Sequence, residues 1–93
     1  MSKNQRFNYL EVREKLKQAD KADISPAALA EEIESQYEDL VIFAIDSSER
    51  DKKTKRPVYW SFEIARLGFD ETEIRHIGSV KVPDSEFKNR LEN

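Results

Sequence analysis

The spacing of apolar residues changes along this chain, and each change marks an element. From Phe7 to Ala19, the residues Tyr9, Val12, Leu16 and Ala19 recur with the 3.6-residue period of one helix face. Glu11 and Lys15 stand four apart, the favourable order for a helical ion pair. Lys17 to Asp23 is a polar break. Ser25 followed by Pro26 then signals a new helix, with the serine as N-cap and the proline at the first position, where its missing N–H costs nothing. Ile24 and Leu29 are placed as a hydrophobic staple across that start. Leu29, Ile33, Tyr37 and Leu40 continue one apolar face, with the helix expected to end near Glu38.

Leu40 to Ile45 is a continuous apolar run rich in β-branched residues. Its length and composition predict a strand buried on both faces. Ser47 to Arg56 reads as a flexible charged loop, and Pro57 opens the next strand. From Val58 to Leu67 the chain alternates: Val58, Trp60, Phe62 and Ile64 share one face, and Tyr59, Ser61, Glu63 and Ala65 the other. Gly68 to Glu73 is a turn region. Ile74 to Val82 forms a third strand, with Ile74, His76, Gly78, Val80 and Val82 on one face. An antiparallel register of Trp60 with Val82, Phe62 with Val80 and Ile64 with Gly78 brings both apolar sets to one side. It also sets Glu63 against Ser79, with Lys81 diagonal, and His76 beside Arg66. Pro83 stops the strand, and Asp84 or Ser85 caps a short last helix carrying Phe87 and Leu91.

The expected fold is α+β in the order α-α-β-β-β-α: two N-terminal helices on a three-stranded antiparallel sheet, closed by a short C-terminal helix. Residues 1–93 make one small domain, with Leu16, Leu29, Ile33, Ile42, Trp60, Phe62, Val80 and Val82 in its core. Composition agrees. Apolar residues are 38%, charged residues another 38%, but five Phe, three Tyr and one Trp supply core material that a disordered chain lacks.

Net charge is −3, and this mean conceals blocks. Lys3 to Lys21 carries six basic and three acidic residues. Asp23 to Asp39 carries six acidic residues and no basic one. Ser47 to Pro57 carries five basic and two acidic residues. Two candidate surfaces follow. Arg50, Lys52, Lys53, Lys55 and Arg56 form a basic segment ahead of Tyr59 and Trp60, the pairing of cations with aromatics that single-stranded nucleic acid binding uses. Glu31, Glu34 and Glu38, with Glu32 and Asp39, form an acidic helix surface for a basic partner; an acidic mimic of nucleic acid is a special case of it.

Catalytic chemistry finds little support. Cysteine is absent, which removes thiolate and Cys-ligated metal chemistry, and His76 is the single histidine. There is no glycine-rich phosphate loop, no Gly-x-Ser-x-Gly and no Asp-rich calcium loop, so no catalytic residue, metal or cofactor is assigned. His76 reads as a structural or surface histidine. The polar N-terminal residues lack an apolar signal segment, no apolar run is long enough to span a bilayer, and the expectation is a cytoplasmic protein with no membrane partner.

The leading functional expectation is a small non-catalytic interaction protein (an accessory regulator, inhibitor or immunity-type protein) that binds a macromolecule, most naturally another protein, through a charged surface or a sheet edge. Homodimerisation through an edge belongs to the same class. The alternative is a nucleic-acid-binding module, either through the basic segment 50–56 or as a winged helix. Leu29-Ala30-Glu31-Glu32-Ile33 has the character of the first helix of such a motif, and the hairpin 58–82 would be its wing. That reading needs a recognition helix across Gln36 to Asp46, yet Leu40 to Ile45 has no Arg or Lys to meet phosphate.

Overall fold

The computed structural model describes residues 5–68, 70 and 72–87. Helix α1 spans Tyr9–Gln18 and helix α2 spans Pro26–Glu34. Strands β1 (Leu40–Asp46), β2 (Tyr59–Leu67) and β3 (Ile74–Pro83) form one antiparallel sheet in the order β1-β2-β3, followed by a 3-10 turn at Asp84–Glu86. The fold is therefore the α+β arrangement expected. α2 packs chiefly on β1 and α1 on β3, so both helices cover the same face of the sheet. The buried core comprises Val12, Leu16, Leu29, Ile33, Leu40, Ile42, Phe62, Ile64, Val80, Val82 and Phe87, among others.

Local chemistry accounts for the helix boundaries. Asn8 caps α1 by accepting from the Glu11 N–H at 3.1 Å. At the other end the buried Lys21 ammonium donates to the carbonyls of Lys17 and Ala19 at 3.0 and 3.1 Å and pairs with Glu86 at 3.2 Å. Ser25 caps α2 by accepting from the Ala28 N–H, with Pro26 in the first turn. α2 stops at Glu34, four residues earlier than expected. Ser35 Oγ and Gln36 Nε2 both donate to the Glu32 carbonyl, and Tyr37 pairs instead with Gln5 in a short parallel bridge. Asp39, at φ 59°, turns the chain into β1, a left-handed position that aspartate tolerates.

The expected register holds over the heart of the hairpin: Trp60 opposes Val82, Phe62 opposes Val80 and Ile64 opposes Gly78. Gly78 is required there because Tyr9 crosses it. A Cβ on Gly78 would lie 2.2 Å from the Tyr9 Oη.

Four expectations need correction. First, β1 is buried on one face only: Leu40 and Ile42 are buried, while Phe43 and Ile45 are exposed. Both helices lie on the other side, and no element among the described residues covers this one. Second, the register shifts between Ile64 and Ala65, so that Ala65 opposes His76 and Ile77 is the extra residue of a bulge. This moves His76 and Ile74 off the core face; both are exposed. Third, Trp60 lies half-buried at the margin of the core rather than inside it. Fourth, the last helical element is a three-residue 3-10 turn without a side-chain cap, in which the buried Asp84 is tied to Arg56 and Trp60. Phe87 is fully buried against Phe62, and Leu91 lies outside the described residues.

Candidate functional site

The basic segment is an ordered hairpin tip. Arg50 bridges to Pro57, the Val58 N–H donates to the Glu49 carbonyl, and the Asp51 and Arg56 backbones are bonded at 2.8 Å. Asp51 Oδ1 closes the turn by accepting from the N–H groups of Lys53 and Thr54 at 2.8 and 3.0 Å. These bonds hold the Asp51 carboxyl below its ordinary pKa. Lys55 takes φ 66°, the left-handed region. At the base of the tip the buried Ser47 hydroxyl accepts from the N–H groups of Val58 and Tyr59 and donates to the Glu49 carbonyl.

The five basic candidates divide into two groups. Arg50 pairs with Asp46 at 2.7 Å. Arg56 makes a two-pronged contact with Asp84, Nε to Oδ2 at 3.1 Å and Nη2 to Oδ1 at 3.2 Å. Its charge is thus spent inside the fold. Lys52, Lys53 and Lys55 are exposed and make no ion pair among the described residues.

The acidic candidates lie at the other end of β1. Glu38 and Asp39 immediately precede its first residue, and the hairpin tip follows its last, about 20 Å away at strand rise. Glu38 is exposed beside Arg6, Phe7 and Arg66. Glu34 is half-buried, and its Oε2 accepts from the backbone N–H of Ile42 at 2.9 Å. Glu31, one turn earlier on α2, is exposed on the same side. Glu32 faces instead the cleft of about 390 Å³ between α1 and α2. Polar groups of this helix pair already bond each other, Lys15 with Gln36 at 2.6 Å and Tyr37 with Glu11 at 2.7 Å. The structure therefore keeps the basic and acidic sets apart.

A third surface was not singled out from sequence: the sheet face opposite the helices. β1 places Val41, Phe43 and Ile45 there, with Phe43 and Ile45 47% and 50% exposed. β2 adds Tyr59, Ser61, Glu63, Ala65 and Leu67, and β3 adds Lys81, Ser79, His76 and Ile74. The Lys81 ammonium lies 4.9 Å from the centre of the Tyr59 ring. The signal available in sequence was the continuous apolar run of β1, whose second face has no covering element in the order α-α-β-β-β.

A polar line crosses this face. Ser61 Oγ donates to Glu63 Oε2, and His76 Nε2 is 2.7 Å from Glu63 Oε1. The Ser61 bond, then the His76 bond and the charges of His76 and Lys81, hold the Glu63 carboxyl below its ordinary pKa, against the opposing effect of burial. An ionised carboxylate accepts, so the imidazole donates. The carboxylate stands between hydroxyl and imidazole, whereas an activated serine needs the imidazole in the middle. The arrangement orients side chains on the face and leaves Ser61 bonded to an anion.

No group of three or more His, Cys, Asp or Glu among the described residues is placed to hold a metal ion, and no helix among them is long and apolar enough to cross a membrane. Compared with protein-family models, with curated proteins and with solved structures, the chain matches none.

Proposed function

We propose that this chain is a small non-catalytic interaction protein that binds another protein through the uncovered side of its sheet. One observation carries the reading: Phe43 and Ile45 hold about half their surface in water on a face that neither helix covers. Burying such area is favourable by about 25 cal/mol per Å², and contiguous apolar patches on small monomers mark contact sites. The polar line Ser61–Glu63–His76 and the cation Lys81 give the face directional groups to select a partner. The proposal includes a cytoplasmic setting, to which a chain without cysteine is suited.

The test replaces the exposed pair with Phe43→Lys and Ile45→Lys and compares the variant with wild type. The variant should keep its circular dichroism spectrum and lose a partner captured from the native host. Equal capture by both proteins would remove the face from consideration.

The exposed Lys52, Lys53 and Lys55 at the hairpin tip favour a second reading, nucleic-acid contact. It is placed second because Arg50 and Arg56 are paired within the fold, and because Leu40–Asp46 is a strand where a winged helix needs its recognition helix. Titration with duplex and single-stranded DNA and RNA at low salt decides it. Salt-sensitive binding lost on replacing the three lysines by Gln supports this reading; no binding at low salt ends it.

A further inference from the structure

The two edges of the sheet are built differently. β3 carries the devices that discourage strand addition: Lys81, Pro83 and the bulge at Ile77. β1, Leu-Val-Ile-Phe-Ala-Ile-Asp, has no lysine, no proline and no register shift against β2. Its Ile42 N–H points off the sheet and is taken by the carboxylate of Glu34. By the alternation of an antiparallel ladder, the Ala44 N–H points the same way. A carboxylate oxygen thus occupies the place that the carbonyl of an added strand would take.

The helix and strand that build this edge carry one sign of charge, with cations only at its two ends, Arg6 and Arg66 beside Glu38 and Arg50 on Asp46. From Asp23 to Asp46 the chain contains no Lys, Arg or His. α2 lies over β1, and its residues Glu31 and Glu34 lie on the side bordering the edge, with Glu38 just beyond the helix. Pairing of two β1 strands would bring the acidic helices of two copies together, which electrostatics opposes. An extended segment with flanking cations meets the opposite situation.

Resting on the interaction reading above, we infer that the outer edge of β1, which no strand among the described residues pairs, accepts an extended, lysine- or arginine-flanked segment of a partner protein as a fourth strand. The incoming backbone carbonyl takes the Ile42 N–H from Glu34, and the released carboxylate, with Glu31 and Glu38, faces the segment's cations. Alternate side chains of the added strand extend the apolar face of Val41, Phe43 and Ile45.

The probe is a synthetic peptide in which Thr and Val alternate between paired lysines at both ends, with a glutamate-for-lysine counterpart. Binding is followed by fluorescence anisotropy and by amide shifts of the labelled full chain. The expected result is binding of the lysine peptide roughly tenfold tighter than its counterpart at low salt, with the largest shifts at Ile42 and Ala44. E31Q with E34Q should reduce the preference, and E31K with E34K should reverse it; neither residue belongs to the buried core. Ala44→Pro should abolish binding by either peptide, because it removes an N–H that β2 does not use. Equal binding of the two peptides, shifts confined to Lys52–Lys55, or concentration-dependent dimerisation in place of peptide binding would each overturn the inference. The wider reading is judged separately. If E31Q/E34Q retains a host partner that the Phe43→Lys/Ile45→Lys variant loses, the edge proposal fails and the face proposal stands.

Discussion

Asp84 accepts the indole N–H of Trp60 at 2.8 Å through the same carboxylate that grips the Arg56 guanidinium. The three residues join the base of the basic hairpin tip, the second strand and the segment after the third. Asp84 and Arg56 are 28 residues apart in sequence, and Asp84 is buried. Asp84→Ala removes the carboxylate that a partly buried guanidinium and an indole N–H share, and should cost about 2–4 kcal/mol. Asp84→Asn keeps the shape but not the charge, and should cost about half as much. Urea unfolding followed by the fluorescence of the single tryptophan measures both. A change within about 0.5 kcal/mol of wild type for Asp84→Ala, the range of an ordinary surface substitution, would show that the contact is not formed in solution.

The close approach of Tyr9 to Gly78 fixes α1 over the third strand. An added methyl would lie 2.2 Å from the phenol oxygen and 2.8 Å from Cζ, so the tyrosine must shift. Gly78→Ala should destabilise by about 1–3 kcal/mol, the usual cost of overpacking. In combination with Tyr9→Leu, which clears the space, most of that loss should disappear. Simple additivity of the two changes would contradict the contact.

The parts of this fold that could be read from sequence are those decided by local chemistry and by period. The Ser25–Pro26 helix start depends on neighbouring residues alone. The pairing of Trp60, Phe62 and Ile64 with Val82, Val80 and Gly78 follows from two alternating strands that must turn their apolar sets to one side. The bulge at Ile77 was not readable, because one inserted residue leaves composition unchanged yet reverses the side that His76 faces. An unbroken apolar run specifies a strand but not whether this chain covers both its faces, so the exposure of Phe43 and Ile45 appeared only with the helices in place. The charged character of both candidate surfaces was legible. The withdrawal of Arg56 into a contact with Asp84 was not, since it depends on a pairing distant in sequence.

Tyr37 should govern the alkaline limit of stability. Burial, then the hydrogen bond it donates to Glu11 and the charge of that carboxylate, push its phenol up to about 12. The folded value lies above the ordinary 10.0, so the fold holds this proton more tightly than the unfolded chain. The contribution is complete below about pH 10 and is lost as pH rises from there to about 12. Denaturant midpoints across this window should fall for wild type and fall less for Tyr37→Phe. Parallel curves for the two proteins would show that the phenol is not held in this way.

Glu63 acts at the opposite limit. The Ser61 hydroxyl contributes the largest effect, burial opposes it, and the His76 bond adds to it, so that the carboxyl is held below its ordinary 4.5. A depressed carboxylate stabilises the fold above its unfolded value, and that contribution is lost as pH falls through the folded value. Ser61→Ala should raise the Glu63 pKa toward 4.5, as followed by the pH dependence of its carboxyl carbon shift. An unmoved titration would mean that the serine bond does not form on the open face.

Lys55 tests whether the hairpin tip is shaped for its charge or merely tolerates it. At φ 66° its side chain is crowded against its own backbone, a conformation glycine adopts freely. The Asp51 carboxylate holds the turn through the N–H groups of Lys53 and Thr54, neither of which depends on the side chain at position 55. Lys55→Gly should therefore stabilise the protein by up to about 1 kcal/mol, the relief of a left-handed residue less the added freedom of the unfolded chain. The urea midpoint should rise with an unchanged slope. The same variant should weaken nucleic-acid binding if the tip makes such contacts, which separates a lysine kept for its charge from one kept for the turn. A fall in the midpoint would instead give the Lys55 side chain a stabilising contact of its own.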